Sequence, residues 1–151
     1  MVQYKRLEEN IERLEAQFEN FKTLDSSQPQ LIKEAVFESV IRRFNVCFDC
    51  LWRTLRIYLI KELGLPEVED NPKPVLRIAN ENNLLKSGIE RWLEYTNFRI
   101  QADSICDKET IVAISSFIKD ARDVLTAFNS VSDKEQRDAD FLISSLRLLL
   151  T

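Results

Sequence analysis

The chain has 151 residues, of which 44% are hydrophobic and 30% charged, which suits one domain that buries about two thirds of its unfolded surface. Two glycines and four prolines argue against β-hairpins, Rossmann turns and phosphate-binding loops, since those need glycine at positive φ or at close backbone approach. The absence of histidine excludes Ser-His-Asp, Cys-His and histidine–metal chemistry. The net charge of −4 gives no overall field that attracts nucleic acid. Composition therefore favours an all-α protein.

Two long helices are predicted in the first half of the chain. The first, helix A, has apolar residues that step by three and four, at Tyr4, Leu7, Ile11, Leu14, Phe18 and Phe21. The segment from Asp25 to Pro29 supplies the stop signal and the next N-cap. Helix B then continues from Leu31 to Leu63, about 33 residues or roughly 50 Å, a length that usually overhangs a bundle or bends.

Shorter helices are predicted beyond the stop signals at Gly64 and Pro66. Helix C begins at Pro74, and helix D begins near Lys86 and continues toward Arg99.

The remaining segment is predicted to form two helices. Asp107 is the expected N-cap of helix E, which ends at Asn129. A break at residues 130–133 is then followed by helix F, to Leu150, with a capping box formed by Asp133 and Gln136.

This pattern predicts an antiparallel, up-and-down four-helix bundle in residues 1–130, with a short extra helix. Residues 131–151 are predicted to be a C-terminal helical extension. The leucine-rich face of helix F must be covered, so we expect it to pack against the bundle or across a dimer. Met1 leads directly into a charged segment and no apolar run is long enough to span a bilayer, which predicts a cytoplasmic protein with no membrane association.

Catalytic motifs are not found in the sequence. A polymerase-type nucleotidyltransferase needs a Gly-Ser turn and metal-binding carboxylates, but Gly64 precedes Leu65, Gly88 precedes Ile89, and no Asp-x-Asp falls on a predicted strand. A Gly-Lys-Ser/Thr phosphate loop is also missing. We therefore expect no catalytic residue, no metal site and no cofactor in this chain.

Cys47 and Cys50 have the spacing of a redox motif but lie inside the apolar stripe of helix B, far from a helix N-terminus. Small buried residues are the favoured interpretation. A total of three cysteines, without a regular framework, suits a reducing compartment.

Two further sets of side chains each allow two interpretations. The polar stripe of helix B either binds an anion or a partner, or is a solvated face with an Asp49–Arg53 pair; its members are Arg42, Asp49, Arg53 and Arg56. A set of large aromatic residues either stacks on a planar ligand or belongs to the core; its members are Trp52, Tyr58, Trp92 and Tyr95.

The segment from Val40 to Leu55 in helix B resembles the signature of the nucleotidyltransferase substrate-binding proteins, a branch of the HEPN superfamily. An Arg-Phe pair is followed by an aromatic residue and an acid, and then by Trp with a basic neighbour. The matching residues are Arg43, Phe44, Phe48, Asp49, Trp52 and Arg53. The resemblance covers about residues 4–129.

The resemblance implies a homodimeric helical bundle that acts beside a separately encoded minimal nucleotidyltransferase and helps to hold its substrate. Related HEPN toxins are ribonucleases in which an Arg and a His, in the stretch after the second tryptophan, meet across the dimer. A Tyr just beyond the His can be nucleotidylated by the partner enzyme. In this sequence the Arg is Arg99, but the His position is Ser104 and the Tyr position is Cys106. Without imidazole there is no general base near neutral pH, so ribonuclease activity is not expected.

Three hypotheses follow. The preferred one is a non-catalytic, dimeric binding subunit of a nucleotidyltransferase, for a small-molecule or nucleotide substrate, in which Arg99 contacts phosphate or carboxylate and Asp103 a cationic group. Its full set of candidate binding residues is Arg43, Asp49, Arg53, Trp92, Tyr95, Arg99 and Asp103. The alternative is a degenerate HEPN toxin–antitoxin component that binds RNA without cleaving it. The third is a structural dimerisation module without a ligand.

Overall fold

The computed structural model describes residues 4–101 and 107–150, and these form five helices and no strand. The helices are α1 (Lys5–Lys22), α2 (Gln30–Lys61), α3 (Pro72–Glu81), α4 (Ile89–Gln101) and α5 (Lys108–Leu149). Helix α1 packs on α2 and α5, while α3 packs on α2 and α4. The predicted all-α class is confirmed. The antiparallel, up-and-down bundle topology stays a prediction.

Helices α1 and α2 correspond closely to the predicted helices A and B, because the apolar stripes that predicted them are buried in the structure. Leu7, Ile11, Leu14 and Phe18 line the buried face of α1. Helix α2 ends before Gly64, which takes a φ of +69°, a left-handed conformation that glycine adopts without a steric penalty.

The N-terminus of α2 differs from the prediction. Its N-cap residue is Pro29, and no side chain caps it. The Asp25 carboxylate instead accepts a hydrogen bond from the Ser27 N–H at 3.1 Å, which stabilises a local turn.

Two helix starts also differ from the sequence prediction. Helix α3 begins at Pro72 rather than Pro74, since the first turn of a helix tolerates residues without an N–H donor. Helix α4 begins at Ile89 rather than near Lys86, because Gly88 has a φ of +82°, which is incompatible with a right-handed helix.

Helix α5 begins as predicted and ends much later. The Asp107 side chain accepts a hydrogen bond from the Thr110 N–H at 2.7 Å, which confirms its role as N-cap. The predicted break at 130–133, and with it the separate helix F and its Asp133–Gln136 capping box, is wrong, since α5 is continuous over 42 residues. Serine and aspartate weaken a helix by only about 0.5 kcal/mol each relative to alanine, and neither Gly nor Pro occurs there. The domain division at residue 130 stays a prediction.

The core takes side chains from all five helices, and aromatic rings join α2, α4 and α5 within it. The Phe44 ring on α2 contacts Phe98 on α4 and Phe117 on α5, with centroid distances of 5.1 and 4.8 Å. Nearer the chain start, Tyr4 stacks on Phe128 of α5 at 4.6 Å. These aromatic contacts fix α4 between the two longest helices of the described residues.

The second half of α5 leaves this core. Phe128 is fully buried, but beyond it nearly every described side chain from 137 to 150 is exposed. Packing of this segment against its own bundle, one of the two expected arrangements, is therefore wrong for the described side chains. Packing across a dimer stays a prediction. Within the described ranges, no helix is long and apolar enough to cross a membrane.

Candidate functional site

The α2 signature divides between two faces of the helix. Phe44, Phe48 and Trp52 follow each other at intervals of four residues and are all buried, at 1%, 0% and 5% exposure. Arg43 and Arg53 are exposed, and Asp49 is half-buried. The aromatic part of the signature therefore builds the core, and its polar part lies where α2 meets solvent.

Asp49 connects the polar part of α2 to α4. Its Oδ2 accepts a hydrogen bond from Arg99 Nη2 at 3.2 Å, and its Oδ1 accepts one from Trp52 Nε1 at 3.4 Å. The Arg53 guanidinium lies over the Trp52 ring, 4.8 Å from its centroid. We call Asp49, Trp52, Arg53 and Arg99 the Asp49 cluster. The expected Asp49–Arg53 pair is wrong, because the carboxylate turns to Arg99, 50 residues later.

The Asp49 cluster is open to solvent on one side. The side chains of Asp49 and Arg99 are each 38% exposed. Arg99 Nε is buried and has no hydrogen-bond partner among the described residues. An arginine has five N–H donors in a planar fork that fits phosphate and carboxylate groups. Arg99 can therefore maintain its hydrogen bond to Asp49 and still donate to a ligand.

The other arginines of the α2 polar stripe have separate roles. Arg56 Nε donates to the Val68 carbonyl at 3.1 Å and so fastens the loop after α2. Arg42 is exposed, as expected for a solvated face. A shallow pocket lies beside the Asp49 cluster, lined by Arg53, Arg56, Ile57 and Asp70.

A second polar cluster was missed by the sequence analysis. Asp120 on α5 is only 2% exposed, and it accepts hydrogen bonds from the Tyr95 hydroxyl at 2.5 Å and the Ser87 hydroxyl at 2.6 Å. Arg91 Nε lies 2.8 Å from the same carboxylate. We call Asp120, Tyr95, Ser87 and Arg91 the Asp120 cluster. Burial raises the pKa of the Tyr95 phenol above its ordinary value, with the hydrogen bond to Asp120 adding to the effect.

One sequence signal points to Asp120. It lies three residues after Phe117 and four before Val124, and both neighbours belong to the apolar stripe of helix E. A carboxylate on that face must be buried, and a buried charge needs partners. Its partners on α4 are not readable from the spacing.

The large aromatic residues belong to the core, the interpretation favoured from helical spacing. Trp52, Tyr58, Trp92 and Tyr95 are all 5% exposed or less. The Trp92 ring packs edge-on against Tyr95 at 5.4 Å, and its indole N–H has no partner among the described residues. A binding role for Trp92 and Tyr95 stays a prediction.

The other candidate positions are of two kinds. Asp103, Ser104 and Cys106 lie outside the described residues. Cys47 is fully buried, and burial raises the pKa of its thiol to about 12, so it is the small core residue expected rather than a reactive thiol. Within the described ranges, no three Cys, Asp or Glu side chains are grouped as metal ligands.

Comparison with known proteins identifies one family. The family model described as "Nucleotidyltransferase substrate binding protein like" matches residues 2–134. Neither a curated protein nor a solved structure is found to match the chain. The matched range includes both polar clusters and ends inside α5. The chain belongs to the nucleotidyltransferase substrate-binding protein family.

Proposed function

We propose that this chain is a non-catalytic binding subunit that acts with a separately encoded minimal nucleotidyltransferase. The observation that carries the proposal is the family match over residues 2–134. The sequence adds chemical support, because it has no histidine and no Gly-Ser turn to hold nucleotide phosphates. The partner enzyme would supply the phosphate-binding turn and the metal-binding carboxylates.

The Asp49 cluster is the proposed contact surface. Two arginines and one aspartate give it a net positive charge, and it is half-open to solvent. Arg99 would donate to a phosphate or carboxylate of a nucleotide, a small-molecule substrate or the partner, while Asp49 holds its guanidinium in place. Arg43, an exposed residue six positions before Asp49 on α2, is a further candidate contact. Asp103 would contact a cationic group.

Trp92 and Tyr95 would act from behind this surface. Both are buried on α4, the helix that carries Arg99. Their packing against Phe117 at 6.1 and 5.3 Å fixes α4 on α5, and so fixes the position from which Arg99 reaches Asp49. In this proposal they position the binding residues rather than stack on a ligand.

The remaining parts of the proposal concern assembly and location. We expect a homodimer of HEPN-like, up-and-down four-helix bundles in the cytoplasm. The RNA-binding alternative would use Arg42, Arg53, Arg56 and Arg99. A filter-binding titration tests it, since several phosphate contacts give a steep fall of log affinity with log salt concentration. We expect no such slope.

The test of the main proposal is capture of the partner. The tagged full-length chain is used as bait in an extract of the native host, under gentle conditions, and bound proteins are identified by mass spectrometry. We expect a short nucleotidyltransferase with a Gly-Ser turn followed by Asp-x-Asp. Its gene is expected beside the gene for this chain.

Two variants make the capture specific to the Asp49 cluster. Arg99→Gln removes the inter-helix guanidinium and is expected to reduce recovery of the enzyme about tenfold, the loss of one charge-assisted contact worth about 1.4 kcal/mol. Arg42→Gln removes an exposed arginine of the same α2 stripe and is expected to leave recovery unchanged. If the wild-type bait recovers no nucleotidyltransferase, the proposed function is wrong.

A further inference from the structure

The C-terminal part of α5 and its C-cap residue Leu150, together residues 137–150, present an apolar face that nothing in the described chain covers. Its large apolar side chains are exposed to between 48% and 87% of their surface; they are Phe141, Leu142, Ile143, Leu146, Leu148, Leu149 and Leu150. The segment lies entirely beyond the family match, which ends at residue 134. We call residues 137–150 the α5 arm.

The spacing in the α5 arm selects one side of the helix. Ala139, Leu142, Leu146 and Leu149 recur at intervals of three, four and three residues, the heptad spacing of a helix that packs along another helix. Ile143 and Leu150 widen this stripe on one side. Phe141 and Leu148, which are separated by two turns, lie on the opposite side of the helix.

The area of this face fits a second helix of the same kind. The large side chains of the stripe and its widening residues leave roughly 600 Å² exposed on each chain, so two such faces can bury at most about 1,200 Å², an area at the lower limit of a specific interface. A single chain with such a patch would expose more apolar surface than most monomeric proteins do. A second copy supplies an identical face, which satisfies the self-complementarity of a twofold interface.

Charge selects the relative direction of the two helices. Asp140 and Arg147 lie on the same flank of the arm, two turns apart. In an antiparallel pair centred near residue 144, Asp140 of one copy lies opposite Arg147 of the other. In a parallel pair, the twofold axis runs along the helices and places the Asp140–Arg147 flanks of the two copies on opposite sides, so neither of these ion pairs forms.

We infer that two copies of this chain associate through their α5 arms, packed antiparallel with Leu142 of each copy against Leu146 of the other. The inference deepens the homodimer of the proposed function by naming its surface. It does not depend on the nucleotidyltransferase, because the interface uses only this chain.

The first experiment measures the mass of the purified full-length protein by light scattering after size exclusion. The wild type is expected at twice the 17.7 kDa of the chain. The double variant Leu142→Lys/Leu146→Lys is expected at the monomer mass. Both side chains are more than half exposed in the single chain, so the fold is kept, and circular dichroism verifies the helix content.

The matched control places the same charges on the other side of the same segment. Phe141→Lys/Leu148→Lys changes side chains that are exposed to 72% and 77%, and it is expected to keep the dimer mass. A monomeric wild type would overturn the inference and would indicate that a different protein covers the arm. A dimer that survives Leu142→Lys/Leu146→Lys would also overturn it and place the interface on the bundle.

The second experiment measures orientation with spin labels on cysteines introduced at exposed positions, with Cys50 and Cys106 replaced by serine. In the antiparallel pair, labels at Asn129→Cys are about 45 Å apart along the helix axis, while labels at Ser144→Cys have almost no axial separation. Parallel arms would give two similar short distances. That result would overturn the antiparallel pairing.

Discussion

The Asp120 and Asp49 clusters have the same kind of ion pair, but one lies in the core and the other lies near the surface. In each, an aspartate from a long helix binds an arginine of α4: Asp120 with Arg91 at 2.8 Å and Asp49 with Arg99 at 3.2 Å. The Asp120 side chain is 2% exposed, whereas that of Asp49 is 38% exposed. Asp120 also accepts bonds from two hydroxyl groups, but Asp49 has only one weaker indole donor.

The difference in exposure indicates that the Asp120 carboxylate has a structural role, whereas the Asp49–Arg99 pair is accessible to a ligand or partner. A buried carboxylate is tolerated only when its oxygens are fully hydrogen-bonded, and removal of one partner leaves the others unsatisfied. A half-exposed pair exchanges partners with water at little cost. We therefore expect the Asp120 cluster to control stability and the Asp49 cluster to control binding.

The largest expected effect is that of Asp120→Ala. The change leaves the Tyr95 and Ser87 hydroxyls without their acceptor and removes the ion-pair partner of Arg91, so the free energy of unfolding should fall by about 3 kcal/mol. Urea denaturation followed by circular dichroism measures it. Asp120→Asn keeps the volume and part of the hydrogen bonding and should lose less. A loss below about 1 kcal/mol for the alanine variant would contradict a structural role.

A smaller loss is expected for Tyr95→Phe. The ring contacts with Trp92 and Phe117 are kept, and only the hydroxyl donor to Asp120 is removed, which should cost about 1 to 2 kcal/mol. The same urea experiment applies. Combined with Asp120→Ala, the two losses should be less than additive, since both remove the same hydrogen bond. Full additivity would show that the two residues act independently.

The Asp49 cluster should show the opposite behaviour. Asp49→Asn and Arg99→Gln are each expected to change the free energy of unfolding by less than about 1 kcal/mol, because the pair is half-exposed. Each should nevertheless weaken capture of the nucleotidyltransferase. Arg42→Gln, on the same helix, controls for the loss of charge. Loss of stability as large as that of Asp120→Ala would remove the distinction between the clusters.

The smallest expected effect concerns the Glu15–Arg122 pair, which joins α1 to α5 at 2.8 Å. The hydrogen bond from Arg122 lowers the pKa of the Glu15 carboxyl below its ordinary value of 4.5. Its contribution to stability is therefore present above pH 4.5 and is lost as the pH falls through the lowered pKa.

The measurement compares wild type with Glu15→Gln at about pH 6 and about pH 3. Both side chains are more than 40% exposed, so the difference in unfolding free energy should stay below about 1 kcal/mol at the higher pH and shrink at the lower one. A difference that grows on acidification would contradict the assigned pair.

Much of the helical framework is readable from local signals. The apolar stripes of α1 and α2, the stop at Gly64 and the Asp107 N-cap lie where the sequence predicted them, because periodicity and capping depend on neighbours within one or two turns. The break at 130–133 was wrong for the same reason. Weak helix formers lower the stability of a helix without ending it when no Gly or Pro forces a stop.

The candidate site was predictable only in part. The family resemblance indicated that Asp49, Arg53 and Arg99 matter, and one of the two interpretations of the α2 polar stripe paired Asp49 with Arg53, four residues away. Its actual partner, Arg99, is 50 residues away, and no local pattern encodes that choice. Asp120 was overlooked because the role of a carboxylate in an apolar stripe depends on hydrogen-bond donors that lie on another helix.

The sequence by itself determined the all-α class, the family and the absence of histidine chemistry, because these depend on composition and residue identity. The tertiary structure alone decided which charges are buried, that Asp49 binds Arg99, and that the α5 arm leaves the core after Phe128. Burial and long-range pairing depend on how the helices are placed against each other. That placement follows from the sum of many weak contacts and not from one motif.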